Sequence, residues 1–229
     1  KVLPSYPATG KRTLQDNGSW LKALTRDNVD LVKTGIERIT KTGIETSDGR
    51  QIEVDIIVYA TGFDAVTGSF DRIDIRGAGG QRLKDKWTGG PKTFVGVTVD
   101  GFPNMFMIMG PHAALGNNPR SIEYNVEWIR DLLGYMKDRG LAVSEARPES
   151  VAEWLAFVEE KAAGLLANEI DSWMTGVNMN VEGKQTRTIV SYSGTAPEYR
   201  AKCDEVAAGG YRELSFLKQA DGRCQSKLT

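Results

Sequence analysis

Apolar and polar residues along this chain fall into two textures, a short-period one in the first quarter and a helical one in the middle. Residues 17–26 place Trp20, Leu21 and Leu24 on one side at helical spacing, which predicts a short helix. Residues 29–32 read as a strand. Residues 36–39 and 43–46 read as a tight hairpin, and Ser47-Asp48-Gly49-Arg50 as the turn into a strand over 52–59. That last strand, Val54-Asp55-Ile56-Ile57-Val58-Tyr59, is almost continuously apolar and stops at Ala60-Thr61-Gly62, the pattern of a strand buried on both faces of a parallel nucleotide-binding sheet. A glycine just past its end lets backbone approach a ligand closely.

Beyond Gly62 the chain is Gly-rich and polar to about Gly90, predicting loops and small strands. Residues 105–109 form a second apolar run ending in Gly110-Pro111, expected to be another buried strand feeding a loop. Asn118-Pro119 then opens a helix, with Asn118 as N-cap and Pro119 as first helical residue. Ile122, Val126, Ile129, Leu133 and Met136 are its expected inward face and Gly140 its end. A further helix runs from Pro148 to about Asn168 with Val151, Trp154, Leu155, Val158, Ala162 and Leu165 inward. The rest alternates loops with a strand over 188–192 and a short helix over 198–208. There is no internal repeat.

The 229 residues, 40% of them apolar, suffice for one large or two small domains. With 29 Lys and Arg against 30 Asp and Glu, bulk charge favours neither nucleic acid nor an anionic membrane as partner, so an anion site has to be local. Cys203, Cys224 and a single His112 suggest neither a disulfide framework nor a metal site, and a reducing cytoplasm is the simplest compartment. No apolar run approaches the roughly 18 residues of a membrane span, and no charged-then-apolar leader opens the chain. Asn17-Gly18-Ser19 has the form of a glycosylation acceptor but reads as accidental without a secretion signal.

The glycine fingerprint expected with a nucleotide-binding sheet is missing. Gly77-Ala78-Gly79-Gly80-Gln81-Arg82 has Arg where the third glycine belongs, and Gly183-Lys184-Gln185 lacks the Ser or Thr of a phosphate loop, so both are loops. Lys11-Arg12 is by default a solvated pair, with binding of a phosphate and a second developing anion as the alternative. His112 precedes a helix N-terminus, and a structural role outweighs a catalytic one. Trp173 lies outside the helical stripes, where core packing competes with stacking on a planar ligand.

Several of these pieces occur together and in order: Gly10-Lys11-Arg12, Arg26-Asp27-Asn28-Val29, residues 55–65, Ile73-Asp74-Ile75-Arg76-Gly77, Gly101-Phe102-Pro103-Asn104-Met105, Gly110-Pro111, Ser121-Ile122-Glu123, Glu127-Trp128, Ser172-Trp173, Gly176 with Asn178, and residues 203–208. In this order the chain resembles the C-terminal part of the Baeyer-Villiger monooxygenases, the flavoproteins that include cyclohexanone and phenylacetone monooxygenase. The resemblance implies an α/β fold, the C-terminal part of a two-dinucleotide-binding-domain flavoprotein. Residues 1–61 would be the C-terminal part of an NADPH-binding domain and residues 62–229 that of an FAD-binding domain.

It also implies FAD and NADPH as cofactors and a small-molecule ketone and O2 as substrates, with no nucleic acid, membrane or metal involved. In the family, reduced FAD captures oxygen as a C4a-peroxide that converts the ketone to an ester or lactone. Carried over by position, Lys11 matches the lysine that recognises the 2'-phosphate of NADPH, and Arg12 the catalytic arginine that stabilises the peroxide anion and the ketone adduct. Trp173 matches a tryptophan contacting NADP, and Asn118 the helix start whose backbone faces the flavin's pyrimidine edge. Thr61 and Gly62 close the NADPH domain, and Ala114 and Leu115 line the substrate pocket. The family's two glycine fingerprints, the signature between them and the aspartate supporting the arginine would all lie upstream, and the first residue here is Lys. A fragment that binds FAD weakly or not at all and is inactive alone is therefore the expectation. The alternatives are an N- or S-oxidising flavin monooxygenase and a non-catalytic module derived from such an enzyme.

Overall fold

A computed structural model describes residues 2–3, 6–7, 11 and 14–218. The chain divides into two compact units, Lys1–Ala8 with Arg12–Phe63, and Thr9–Lys11 with Asp64–Thr229. The first is built on little more than a three-stranded antiparallel meander. Its helix α1 (Ser19–Ala23) is shorter than predicted, because Asp16 gathers the Gly18 and Trp20 N–H groups and the Ser19 hydroxyl on its carboxylate and fixes the start there. The strands β1 (Ile36–Ile39), β2 (Gly43–Thr46) and β3 (Gln51–Glu53) pair in chain order, as the hairpin pattern and the Ser47–Arg50 turn predict.

Two expected strands of this unit do not form. Residues 29–32 are irregular, and β3 stops at Glu53 instead of running to Tyr59. After the Val54 N–H donates to the Thr42 carbonyl at 3.1 Å, no neighbouring strand continues the ladder among the described residues. The apolar run is consequently irregular and open to solvent, with Ile56 and Val58 more than 80% exposed and Phe63 91% exposed. Burial on two faces requires elements packed over each of them, and among the described residues none covers this stretch.

The second unit holds the hydrophobic core. Its Gly-rich opening consists of helical turns where small strands were expected: α2 (Gly68–Asp71), a 3-10 turn over Ala78–Gly80 and α3 (Leu83–Lys86). Leu83 and Trp87 pack there with Val99, Phe102 and Met107 into a small satellite core. Residues 105–109 are a loop, not a strand. Left-handed Asn104 (φ 56°) and Met109 (φ 52°) bound the run, and the Met107 N–H donates to the Val97 carbonyl at 2.8 Å without a ladder forming.

Helix α4 (Asn118–Asp138) carries the main core. Asn117, one residue earlier than predicted, is its cap, accepting the Arg120 N–H on its side chain. The inward face is also rotated by one residue, about 100°: Asn125, Trp128, Leu132 and Met136 are buried, whereas Ile122, Val126 and Leu133 are exposed. The Trp128 indole donates to the Cys203 carbonyl at 3.0 Å, so the largest side chain of the helix sets its rotation.

Gly140 (φ 60°) turns the chain into β4 (Leu141–Ala146), then α5 (Pro148–Ala162), α6 (Ala196–Ala208) and β5 (Leu214–Lys218). Strands β4 and β5 pair antiparallel, and neither was predicted. Helix α5 buries Val151, Trp154, Val158 and Ala162 as expected but ends before left-handed Gly164. The expected strand over 188–192 is extended chain with a single bridge, Tyr192 to Ala114. Among the described residues no helix is long and apolar enough to cross a membrane.

Candidate functional site

The loop between Gly110 and the start of α4 is held from three directions. On one side it is stitched to the extended segment 188–192: the His112 N–H donates to the Val190 carbonyl at 3.1 Å and the Tyr192 N–H to the Ala113 carbonyl at 3.3 Å. Beneath it Gly96 adopts φ 68° with its backbone against Ala113; a Cβ there would lie 2.5 Å from the Ala113 nitrogen. From α4, Asn125 accepts the Met109 N–H at 3.0 Å and donates to the Tyr199 hydroxyl at 3.2 Å, which in turn donates to the Val95 carbonyl at 2.7 Å. This buried polar relay locks the helix to the loop, since each member left unpaired would carry its full desolvation cost.

His112 is fully buried in the loop, at φ 66°. Its Nε2 lies 2.8 Å from the Ile189 carbonyl, which only accepts, so Nε2 carries the proton. Its Nδ1 is 3.2 Å from the Thr93 hydroxyl, which donates to the Pro111 carbonyl at 2.8 Å. Burial holds its pKa below the usual imidazole value, against the smaller opposing effect of the Ile189 carbonyl. A neutral, enclosed imidazole whose one N–H is spent on the Ile189 carbonyl is a structural brace, in line with the reading favoured from sequence.

At the head of α4, the Arg120 N–H is taken by the Asn117 side chain and the Ser121 N–H by the Asn117 carbonyl, while Pro119 has none. The Asn118 N–H has no intrahelical partner, at the positive end of a 21-residue helix. Asn118 is exposed, Leu115 is 43% exposed and Ala114 is buried.

Ser172–Gly176 forms a second turn bound to the same extended segment. Ser172 and Thr175 cap one another across the 3-10 turn Trp173–Thr175, and Gly176 at φ 71° closes it. The Thr188 N–H donates to the Thr175 carbonyl at 2.9 Å, and Thr175 and Thr188 line a cleft of about 330 Å³ with Lys92 and Arg187. Trp173 stands 39% exposed on this turn. The segment 188–192 therefore joins the turn of Trp173 at one end to the loop of Ala114, Leu115 and Asn118 at the other.

Lys11 is exposed and Arg12 lies outside the described residues. Thr61 and Gly62 are exposed in the first unit, with Gly62 at φ 83°. Sequence reasoning missed the Asn125–Tyr199 relay, although Asn125 falls one turn before Trp128 on the buried face. It also missed Lys184, whose Nζ lies 2.7 Å from Asp64, 2.8 Å from Asp71 and 3.0 Å from the Thr67 hydroxyl in a largely buried cluster. Among the described residues no three His, Cys, Asp or Glu side chains are grouped to hold a metal ion.

No family model matches the sequence. Individual proteins do. Phenazine N-monooxygenase of Lysobacter antibioticus is 40% identical over 193 residues, 84% of this chain and 35% of that protein. Cyclohexanone 1,2-monooxygenase of an Acinetobacter species is 38% identical over 217 residues, 92% of this chain and 39% of that enzyme. The OTEMO complex with FAD and NADP superposes with a TM-score of 0.82 at 35% identity, over 93% of this chain and 39% of the OTEMO chain. The chain thus spans about two-fifths of the length of the relatives it matches. Sequence and mixed α/β fold agree: the chain matches the C-terminal portion of Baeyer-Villiger monooxygenases.

Proposed function

We propose that the chain serves as the C-terminal portion of an FAD-dependent, NADPH- and O2-using monooxygenase that converts ketones to esters or lactones. The observation that carries this reading is the near full-length match of this chain to cyclohexanone 1,2-monooxygenase. Residues 1–61 belong in this reading to an NADPH-binding domain and residues 62–229 to an FAD-binding domain, in a reducing cytoplasm. FAD, reduced by NADPH, supplies the activation of oxygen.

The chain's own residues bind and polarise. The Asn118 N–H, at the head of α4, suits an acceptor on the rim of the flavin ring. The exposed Trp173 indole offers a flat face to NADP, on a turn whose reciprocal cap fixes its direction. Lys11 contributes an ammonium for the 2'-phosphate. Arg12 is the catalytic residue: its guanidinium, permanently charged, stabilises the oxyanion that develops on the ketone oxygen. Thr61 and Gly62 bring backbone close to cofactor, and Ala114 and Leu115 wall the substrate.

A second reading, oxidation at nitrogen, is favoured by the match to phenazine N-monooxygenase. One experiment separates the two. The chain is grafted in place of the matching portion of the Acinetobacter cyclohexanone enzyme, and products are followed with NADPH and air. Lactone from cyclohexanone, lost in an Arg12→Ala graft that still oxidises NADPH, is the expected result. Phenazine N-oxide without lactone would favour the second reading, and a graft that retains FAD yet oxidises neither substrate would overturn both.

A further inference from the structure

The turn that carries Trp173 is wound around the hydroxyl of Thr175, a residue 2% exposed. That hydroxyl donates to the Ile170 carbonyl at 2.8 Å, with the Ser172 carbonyl also in reach at 2.9 Å, and it accepts the Ser172 N–H at 3.2 Å. Ile170 is itself buried, so the bond fastens the turn to a fixed point. On the other side the Thr175 carbonyl accepts the Thr188 N–H at 2.9 Å, and Gly176 approaches Thr188 so closely that a Cβ on it would lie 2.6 Å from the Thr188 hydroxyl. Valine would fill the volume of Thr175 without a buried hydroxyl to satisfy, so space-filling alone does not account for threonine here.

Trp173 has no comparable hold of its own. Its indole makes no hydrogen bond and no ring contact among the described residues, and it belongs to neither hydrophobic cluster. What directs the ring is the backbone it hangs from, and Thr175 ties that backbone from two sides. A flat side chain held in its binding pose before the ligand arrives avoids the ordering cost that a loose one would incur on binding.

We infer that Thr175 is a positioning residue for cofactor binding: its hydroxyl holds the 172–176 turn so that the Trp173 indole stands ready for NADP. This role rests on the reading of Trp173 as an NADP contact and adds to it the residue on which the contact depends.

Two measurements test it. In the nitrogen-15 spectrum of the full chain, the Trp173 indole resonance is identified by its loss in Trp173→Phe. Thr175→Val is expected to move or broaden it while the resonances of Trp87, Trp128 and Trp154 stay in place, and Thr175→Ser, which keeps the hydroxyl, to leave it where it was. In the graft of this chain into the Acinetobacter cyclohexanone enzyme, Thr175→Val is expected to raise the KM for NADPH about tenfold with kcat within about twofold, and Thr175→Ser to restore it. If Thr175→Val unfolds the second unit, seen as collapse of the Trp128 and Trp154 resonances, Ser172→Ala breaks the same reciprocal cap and carries the same two expectations. The positioning role is overturned by an unmoved Trp173 resonance, by a Thr175→Ser chain no better than Thr175→Val, or by an unchanged KM beside a Trp173→Ala graft whose KM rises. A Trp173→Ala graft with an unchanged KM would instead remove the reading of Trp173 itself, and the role of Thr175 with it.

Discussion

Lys184 sets its ammonium 2.7 Å from the Asp64 carboxylate, joining residues 120 positions apart. The pair fastens the start of the second unit to the loop that follows the Trp173 turn. Asp71 and the Thr67 hydroxyl complete the cluster, and all three charged side chains are less than a fifth exposed.

Replacing Lys184 by Met should cost about 3 kcal/mol, because two carboxylates would remain in a largely buried setting without a counter-charge. Burial opposes the Lys184 charge, but hydrogen bonds to Asp64 and Asp71 outweigh it and raise its pKa above the ordinary 10.5. A raised folded-state pKa gives stability that is fully present below 10.5 and lost as pH rises through the folded value. Urea unfolding across that range should show the unaltered chain weakening more steeply than the Met variant.

His112 has the opposite sign. Its lowered pKa means that the unfolded chain takes up the proton first, so its contribution is present above the ordinary 6.5 and is lost as pH falls through the folded value. His112→Ala should destabilise the second unit by about 2 to 3 kcal/mol at neutral pH, leaving the Ile189 carbonyl without its imidazole donor and a cavity in place of the ring. The variant should also lose part of the acid sensitivity, as measured by thermal unfolding at pH 5 and pH 8.

Gly96→Ala combines a left-handed backbone with a Cβ driven into Ala113, and should cost about 3 kcal/mol. Gly116→Ala, in the same loop region with open space around it, should change stability by less than about 0.5 kcal/mol. Paired denaturation curves of the two variants test whether packing at Ala113, and not loop stiffness in general, governs this region.

Burial pushes the Cys203 thiol up to about 12. At pH 8 it should stay unmodified by a thiol reagent in the native chain and react only under denaturant, as read by peptide mass spectrometry. Modification of Cys203 at native pH within minutes would contradict its enclosure beneath Trp128 and Tyr199.

Where chemistry is local, the sequence announced it. Ser47-Asp48-Gly49-Arg50 turned as its residues require, and Pro148 began a helix. Where an element depends on what lies beside it, the pattern misled. Residues 54–59 have every property of a buried strand except neighbours. In α4, counting only aliphatic positions selected Ile122, Val126 and Leu133, whereas the bulk and hydrogen bond of Trp128 rotated the helix. Strands β4 and β5 lie some 70 residues apart in sequence, and nothing in Leu141–Ala146 alone names Leu214–Lys218 as its partner. For the candidate site, Ala114, Leu115, Asn118 and Trp173 were named from the family resemblance alone, and the segment 188–192 that joins their loops was taken for an ordinary strand. Arg12 falls outside the described residues.

A stretch outside any ladder, with bare β-branched and aromatic side chains, is also a template. Ile56, Val58, Tyr59 and Phe63 present unsatisfied amides and carbonyls along a stretch without proline or lysine to deter pairing, the condition under which separate molecules add strands to one another. In solution the 229-residue chain should therefore self-associate with rising concentration through its first unit while the second stays folded. A charge placed at Val58 should restore dispersity without touching the core.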